Sequence, residues 1–465
     1  MIKRLIDSKI EDFYQNHSSA LLITGARQVG KTFAIRQFAK SHFASYVEIN
    51  FVETPSAIGL FDGTDDAKEM LFRLSAFSKG QMIPGETFVF FDEVQKYPDL
   101  VTRIKFLVEE GSFRYALSGS LLGVELKDLR SEPVGYMDVM EMYPISIEEF
   151  ALGVGVSPQI MEVLRDCFEK RIPVSEVVHL QMMKVFQLYL VVGGMPAAVS
   201  KYLETNNLQL VEAEQNAIIR LYKRDISQYD PDDKLFLDDI YELIPAELNS
   251  KNKRFILKKL NENFKFNRYE SSFLWLDKAG VALPVFNVEE PRYPLRLSKQ
   301  RNLFKLFQND VGLLASQYSN GMQIRLLRNE VNINYGGIYE NVAAQELKFQ
   351  GFNLYYFNSK SQGEIDFVVE KEEKILPIEI KSGKDYTRHN AIDNVLNNPE
   401  YHISQAYVFC QDNISNSGSI TYFPIYMLMF MRKSPSFTDD SVYRLDIGEL
   451  KCCTRKSRHG RVEKD

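Results

Sequence analysis

Eight residues near the N-terminus, Gly25, Ala26, Arg27, Gln28, Val29, Gly30, Lys31 and Thr32, follow the pattern G-x-x-x-x-G-K-[ST]. In such a loop the glycines let the backbone curl until its N–H groups point at phosphate oxygens, at the positive end of the helix that follows. Lys31 can then reach the β- and γ-phosphates, and the Thr32 hydroxyl can ligate Mg²⁺. Arg27, inside the loop, either touches a phosphate or faces solvent. About sixty residues on, four apolar residues end in two carboxylates, Phe88-Val-Phe-Phe-Asp92-Glu93. A buried strand would push Asp92 out beside the loop, where it can hold Mg²⁺, and Glu93 can polarise an attacking water as general base. Leu117-Ser118-Gly-Ser120 ends another strand-like run and places Ser118 as a sensor of the γ-phosphate. Arg103, Arg220 and Arg224 are candidates for an arginine finger. The chemistry is that of ATP with Mg²⁺, and hydrolysis rather than binding alone.

A second constellation lies far downstream. Gly363-Glu-Ile-Asp366 is followed, thirteen residues after Asp366, by Glu379-Ile-Lys381. Two adjacent antiparallel strands would bring Asp366 and Glu379 together as a hard oxygen site suited to Mg²⁺. In a strand Glu379 and Lys381 share one face, so Lys381 could orient a water or stabilise a charged transition state. Upstream, a helix from about Gly337 carries Glu340 and Glu346, with Glu340 preferred as a third carboxylate. This is the D…E-x-K layout of the PD-(D/E)xK nucleases. Other readings are a domain that holds DNA or a partner without cutting, and a surface hairpin whose charges are simply solvated.

These residues need elements to position them. Ala20–Thr24 reads as a short buried strand and Phe33 to Ser41 as the helix after the loop. Strand-like runs recur at Ser45–Asn50, Thr87–Asp92, Arg114–Ser120 and Met137–Tyr143, with helical stretches near Ala67–Ser78 and Asp99–Glu110. That alternation predicts a mostly parallel sheet. Ile160 to Tyr229 reads as helical, broken by a fixed bend at Val192-Gly-Gly-Met-Pro196. Lys251 to Arg268 holds seven basic residues against one acid, and a helix Glu270–Lys278 follows. This stretch reads equally as a winged-helix module, with a helix for the major groove, or as a spacer with a solvated basic face.

Composition sets the bounds. With 465 residues the chain is too long for one core. A net charge of −6 leaves any contact with nucleic acid to a local patch. Four cysteines (Cys167, Cys410, Cys452, Cys453) without metal-site spacing fit a reducing cytoplasm. No apolar run approaches the ~18 residues of a membrane span.

Together, GARQVGKT, FFDEVQ, the LSGS strand end, Tyr143-Pro-Ile-Ser-Ile-Glu-Glu-Phe150 and LVVGGMPAAV resemble prokaryotic AAA-type ATPases of the AAA_14 type, followed by a DUF4143 region. The resemblance runs from about residue 15 to 430. Many members carry Arg or Lys after the glycine preceding the fifth strand; here Gly135 is followed by Tyr136, so that phosphate contact is not carried over. The resemblance implies ATP binding, a cytoplasmic setting and a restriction-endonuclease-like C-terminal end. The expected fold is therefore α/β: an AAA-type P-loop NTPase with a parallel sheet (1–155), a helical and winged-helix-like middle (156–300), and a restriction-endonuclease-like α/β domain (301–435), then a polar tail (436–465). Expected partners are ATP, double-stranded DNA, and a further copy or another protein, since arginine fingers of AAA proteins usually come from a neighbour.

Overall fold

The structure is a computed structural model and describes residues 2–78, 82–120, 135–229, 234–250, 253–256, 270–318, 321–328, 330 and 335–433. After helix α1 (Leu5–Asn16) come β1 (Ala20–Thr24), α2 (Lys31–His42), β2 (Ser45–Asn50), α3 (Ala67–Phe77), β3 (Thr87–Asp92), α4 (Asp99–Glu110), β4 (Arg114–Ser118) and β5 (Met137–Glu141). The five strands pair in parallel in the order β2-β3-β4-β1-β5. All six residues of β3 are buried because both faces of the sheet are covered. Phe88 and Phe90 enter one core with Ala34 and Phe38 of α2, while Val89 and Phe91 enter another with Leu74 of α3 and Ile104 of α4. This strand order sets β4 between β1 and β3, so the ends of all three strands meet at one edge. Ligands of open parallel sheets bind at such an edge.

A helical layer follows: α5 (Ile147–Gly153), α6 (Pro158–Lys170), α7 (Glu176–Val192), α8 (Pro196–Thr205), α9 (Leu208–Tyr229) and α10 (Lys234–Asn249). The α7–α8 bend sits where three segments cross. A Cβ on Gly194 would lie 2.1 Å from the Ile145 carbonyl oxygen. Ile145 N–H donates to the Gly194 carbonyl at 2.7 Å, and the buried Asp310 carboxylate accepts Gly194 N–H at 2.6 Å. The Tyr-Pro-x-Ser-x-x-Glu-Phe segment caps α5 itself, Ser146 and Glu149 forming a capping box. Both specific motifs are thus packing devices that clamp the first sheet to the helical layer and the second half of the chain. Among the described residues no single helix is long and apolar enough to cross a membrane.

Helix α11 (Glu270–Lys278) leads into β6 (Ala282–Val288), β7 (Lys299–Gln308), α12 (Val311–Ser316), α13 (Met322–Leu327), α14 (Gly336–Phe349), β8 (Tyr355–Ser359), β9 (Gly363–Lys371), β10 (Lys374–Ile380), α15 (Asn390–Leu396), β11 (Ala406–Cys410), β12 (Ser415–Ser417) and β13 (Ile420–Pro424). Their eight-stranded sheet is mixed, in the order β12-β13-β11-β10-β9-β8-β6-β7. Strands β8, β9 and β10 form an antiparallel meander, and α15 carries the chain across to β11, parallel to β10. Residue 300 falls within β7, so both sides of the division expected there share one sheet. Most of the basic run Lys251 to Arg268 and the tail from 434 lie outside the described residues, and the winged-helix expectation lies largely with them. One continuous core joins the two halves, running from Ile23 and Met142 through Tyr189 to Val285 and Ile378.

Candidate nucleotide site and a second carboxylate cluster

The P-loop spans the gap between β1 and α2. Gly25 has φ +130°, and a Cβ there would meet the Met142 carbonyl oxygen at 2.1 Å, so this position admits only glycine. Lys31 is buried and its ammonium donates to the carbonyls of Gly25 at 2.9 Å and Ala26 at 2.8 Å. Burial pulls its pKa down to about 8, against the opposing pull of Glu93 and Asp92. Asp92 ends β3 and is the focus of the site. Its Oδ2 accepts from the Thr32 hydroxyl at 3.1 Å and the Asn50 amide at 3.2 Å. Its Oδ1 accepts from the Ser118 hydroxyl and, at 3.0 Å, from the Glu93 N–H. Glu93 is left-handed (φ 57°), and its carboxylate accepts from the Gln95 amide. The structure thus brings Lys31, Thr32, Asp92, Glu93 and Ser118 to one sheet edge.

The arginines divide. Arg27 turns away from the loop centre to pair with Asp225 of α9 at 2.6 Å, and Tyr222 of the same helix donates to the Arg27 carbonyl at 3.1 Å. Arg103 is engaged elsewhere, donating to the Thr64 carbonyl at 3.2 Å. Arg220 and Arg224 are exposed on α9. Behind the loop, Arg4 donates to the carbonyls of Val29 and Tyr143 and to Glu149. The second half also reaches the loop. A cavity of about 230 Å³ is lined by Thr24, Gly25, Ser120 and Glu141 together with Asp277, Lys278 and Lys348.

The downstream residues also converge. Asp366 on β9 and Glu379 on β10 lie on paired strands, and Asp366 Oδ2 accepts the Ile380 N–H at 2.9 Å. Lys381 donates to Glu379 Oε1 at 2.8 Å. Glu340 of α14 belongs to the cluster, whereas Glu346, on the same helix, turns to accept the Ile147 N–H at 3.1 Å. A residue of a different strand completes the group. Lys305 of β7 is fully buried, with its Nζ 2.8 Å from Glu364, 3.2 Å from Glu340 and 3.7 Å from Asp366. Lys253 pairs with the other oxygen of Glu340. Burial works to raise the Asp366 pKa, but the Lys305 and Lys253 ammoniums overcome it and hold the carboxyl below its ordinary range. Burial and the neighbouring Asp366 charge push Glu379 up to about 8.

Asn50, Arg4, Asp225 and Lys305 are the participants that sequence reasoning missed. The first three act across long sequence separations and carry no local signature. Lys305 had one: it is a lone charge in the apolar run Leu303-Phe-Lys-Leu-Phe307.

Residues 17–151 match the AAA domain model AAA_14, residues 183–323 a domain of unknown function (DUF8612), and residues 335–428 a domain of unknown function (DUF4143). No curated protein matches the chain in sequence. Among solved structures, the Walker-type ATPase PABY2304 of Pyrococcus abyssi is 13% identical, with 68% of this chain and 96% of that one covered and a TM-score of 0.40. The Aeropyrum pernix ORC1 protein, solved in complex with DNA, is 13% identical over 70% and 94%, with a TM-score of 0.29. RuvB of Thermotoga maritima is 12% identical over 65% and 92%, with a TM-score of 0.28. The chain therefore carries an ATP-binding AAA domain of the AAA_14 type, with its P-loop on a five-stranded parallel sheet, and a DUF4143 domain on a second, mixed sheet.

Proposed function

We propose that this protein is an Mg²⁺-dependent ATPase whose turnover is coupled through its second half to double-stranded DNA. The observation that carries the ATPase reading is the set of donors on Asp92. Thr32 and Asp92, 3.1 Å apart, are the pair that would hold Mg²⁺, which when bound neutralises charge on the phosphates. In this reading the loop N–H groups from Gly25 to Thr32 cradle the phosphates, Lys31 pairs with the terminal ones, and Ser118 reports on the γ-phosphate through Asp92. Glu93 orients the attacking water, released from Gln95 when it acts. In this reading Arg220 or Arg224, both exposed on α9, would serve a neighbouring copy, which makes a homo-oligomer part of the proposal. The buried free thiols of Cys167 and Cys410 suit a reducing cytoplasm.

DNA is favoured by the second sheet. In this reading helix α14, the β8–β9–β10 meander, the α15 crossover and parallel β11 would correspond to a restriction-endonuclease-like core, and Glu340, Asp366, Glu379 and Lys381 to its PD-(D/E)xK constellation. The test is phosphate release by wild type and Lys31→Ala, with Mg²⁺, with and without duplex DNA. Turnover stimulated by DNA and abolished in Lys31→Ala is expected. Turnover indifferent to DNA would replace DNA with a protein partner as the gating molecule. Glu93→Gln should keep ATP binding while losing about 10²-fold or more in turnover, the range for a positioned general base.

A further inference from the structure

A nuclease of this layout needs carboxylate oxygens that are free to ligate a hard cation. Five of the six oxygens of Asp366, Glu340 and Glu379 are otherwise engaged. Asp366 Oδ2 accepts a backbone N–H, and its Oδ1 faces Lys305. Glu340 gives one oxygen to Lys253 and the other to Lys305. Glu379 gives Oε1 to Lys381, and only its Oε2 has no partner. Among the described residues, no group of three or more His, Cys, Asp and Glu side chains is arranged to hold a metal ion. The donors do not fit Mg²⁺.

They fit an ammonium. Lys305 carries three N–H bonds and faces three carboxylates: Glu340 of α14, and Glu364 and Asp366 at successive same-face positions of β9, a strand that β8 and β6 separate from β7. A buried ammonium is tolerated only when its charge and donors are matched in this way. With every group ionised, the four carboxylates (Glu340, Glu364, Asp366, Glu379) meet three ammoniums (Lys253, Lys305, Lys381), which leaves a single net negative charge to attract a dication. Any dication bound by Asp366 and Glu340 would sit against two fixed positive charges.

We infer that Lys305 is the resident cation of this cluster, and that the second sheet is a metal-independent form of the nuclease-like layout that holds its partner without cutting it. The network then acts as a strut, tying β7, β9 and α14 into one rigid surface. This rests on the nuclease-like reading of the second sheet but not on the ATPase reading, which ATP turnover measured in parallel tests separately.

The experiment is Mn²⁺ binding to the full chain without nucleotide, in an Asp92→Ala background that removes the ATP-site ligand, alongside nicking of supercoiled plasmid. No Mn²⁺ site that depends on Asp366, and no nicking that depends on Asp366, is expected. Stoichiometric Mn²⁺ binding or plasmid nicking that Asp366→Asn abolishes would overturn the inference. Lys305→Met, checked for a cooperative thermal melt, should gain an Mn²⁺ site that Asp366→Asn removes. A folded Lys305→Met that gains none would overturn the role given to Lys305. Should that variant not fold, the Asp366 comparison decides alone.

Discussion

The ammonium of Lys31 is held by two carbonyls of its own loop and is largely out of water, and this combination makes nucleotide binding sensitive to pH. A triphosphate favours the charged ammonium, while burial disfavours it and brings the free group to about 8. Below that value the group is already protonated and ATP affinity should be flat. Above it, each bound nucleotide must be accompanied by a proton, and affinity should fall by about tenfold per pH unit as the bound complex keeps its charge. Measuring the ATP dissociation constant between about pH 6.5 and 9.5 checks this, and a profile flat across the range would show that Lys31 does not titrate there. At this scale the sequence was informative where chemistry imposes local spacing. The loop, Asp92 and Ser118 were readable because each ends or begins an element. Lys305 stands out only as a lone charge in an apolar run, and its partners were not readable, because they come from α14 and β9 and no local rule links a strand lysine to carboxylates 35 and more residues away.

The elements were legible in the same uneven way. The β3 run of aromatic and branched residues fixes a strand buried on both faces, and the bounds of β1 and β3 follow directly from apolar runs closed by polar residues. The membership of the second sheet does not, since β6 pairs with β8 across a long insertion and β7 lies at the sheet edge. Sequence pattern gives strand existence but not neighbours when pairings are non-local. The α7–α8 bend shows what a specific motif can encode besides chemistry. Because the Ile145 carbonyl fills the space where a Gly194 side chain would go, and that carbonyl is backbone, Gly194→Ala has nowhere to relax. It should destabilise the protein by about 3 kcal/mol or more, the range for overpacking combined with a lost buried hydrogen bond. Denaturant unfolding would read this directly, and a loss under about 1 kcal/mol would mean the crossing can open.

At the scale of the whole molecule, the nucleotide loop is gripped from the helical layer, which connects it to the second half. Arg27 and its carbonyl are held by Asp225 and Tyr222, and Tyr222 in turn accepts from Asn309, beside the Asp310 that anchors the α7–α8 bend. A continuous path of hydrogen bonds therefore runs from the P-loop to the start of α12. Asp225→Ala should leave the fold intact, since its partner Arg27 is a third exposed and can turn to water. If turnover is coupled to DNA as proposed, the substitution should reduce that stimulation severalfold while the unstimulated rate changes less. Equal loss of both rates would mean that the pair merely shapes the loop.

Such a connection has no preferred direction. If ATP on the loop alters the grip of α9, and through it the surface offered by the second sheet, then a partner seated on that sheet must alter ATP affinity by the same factor, because both routes around the binding cycle end at one state. The Arg27–Asp225 contact would then let occupancy at either end be read as affinity at the other. ATP affinity measured with and without the partner would give the size of that exchange without any assay of what the partner is for.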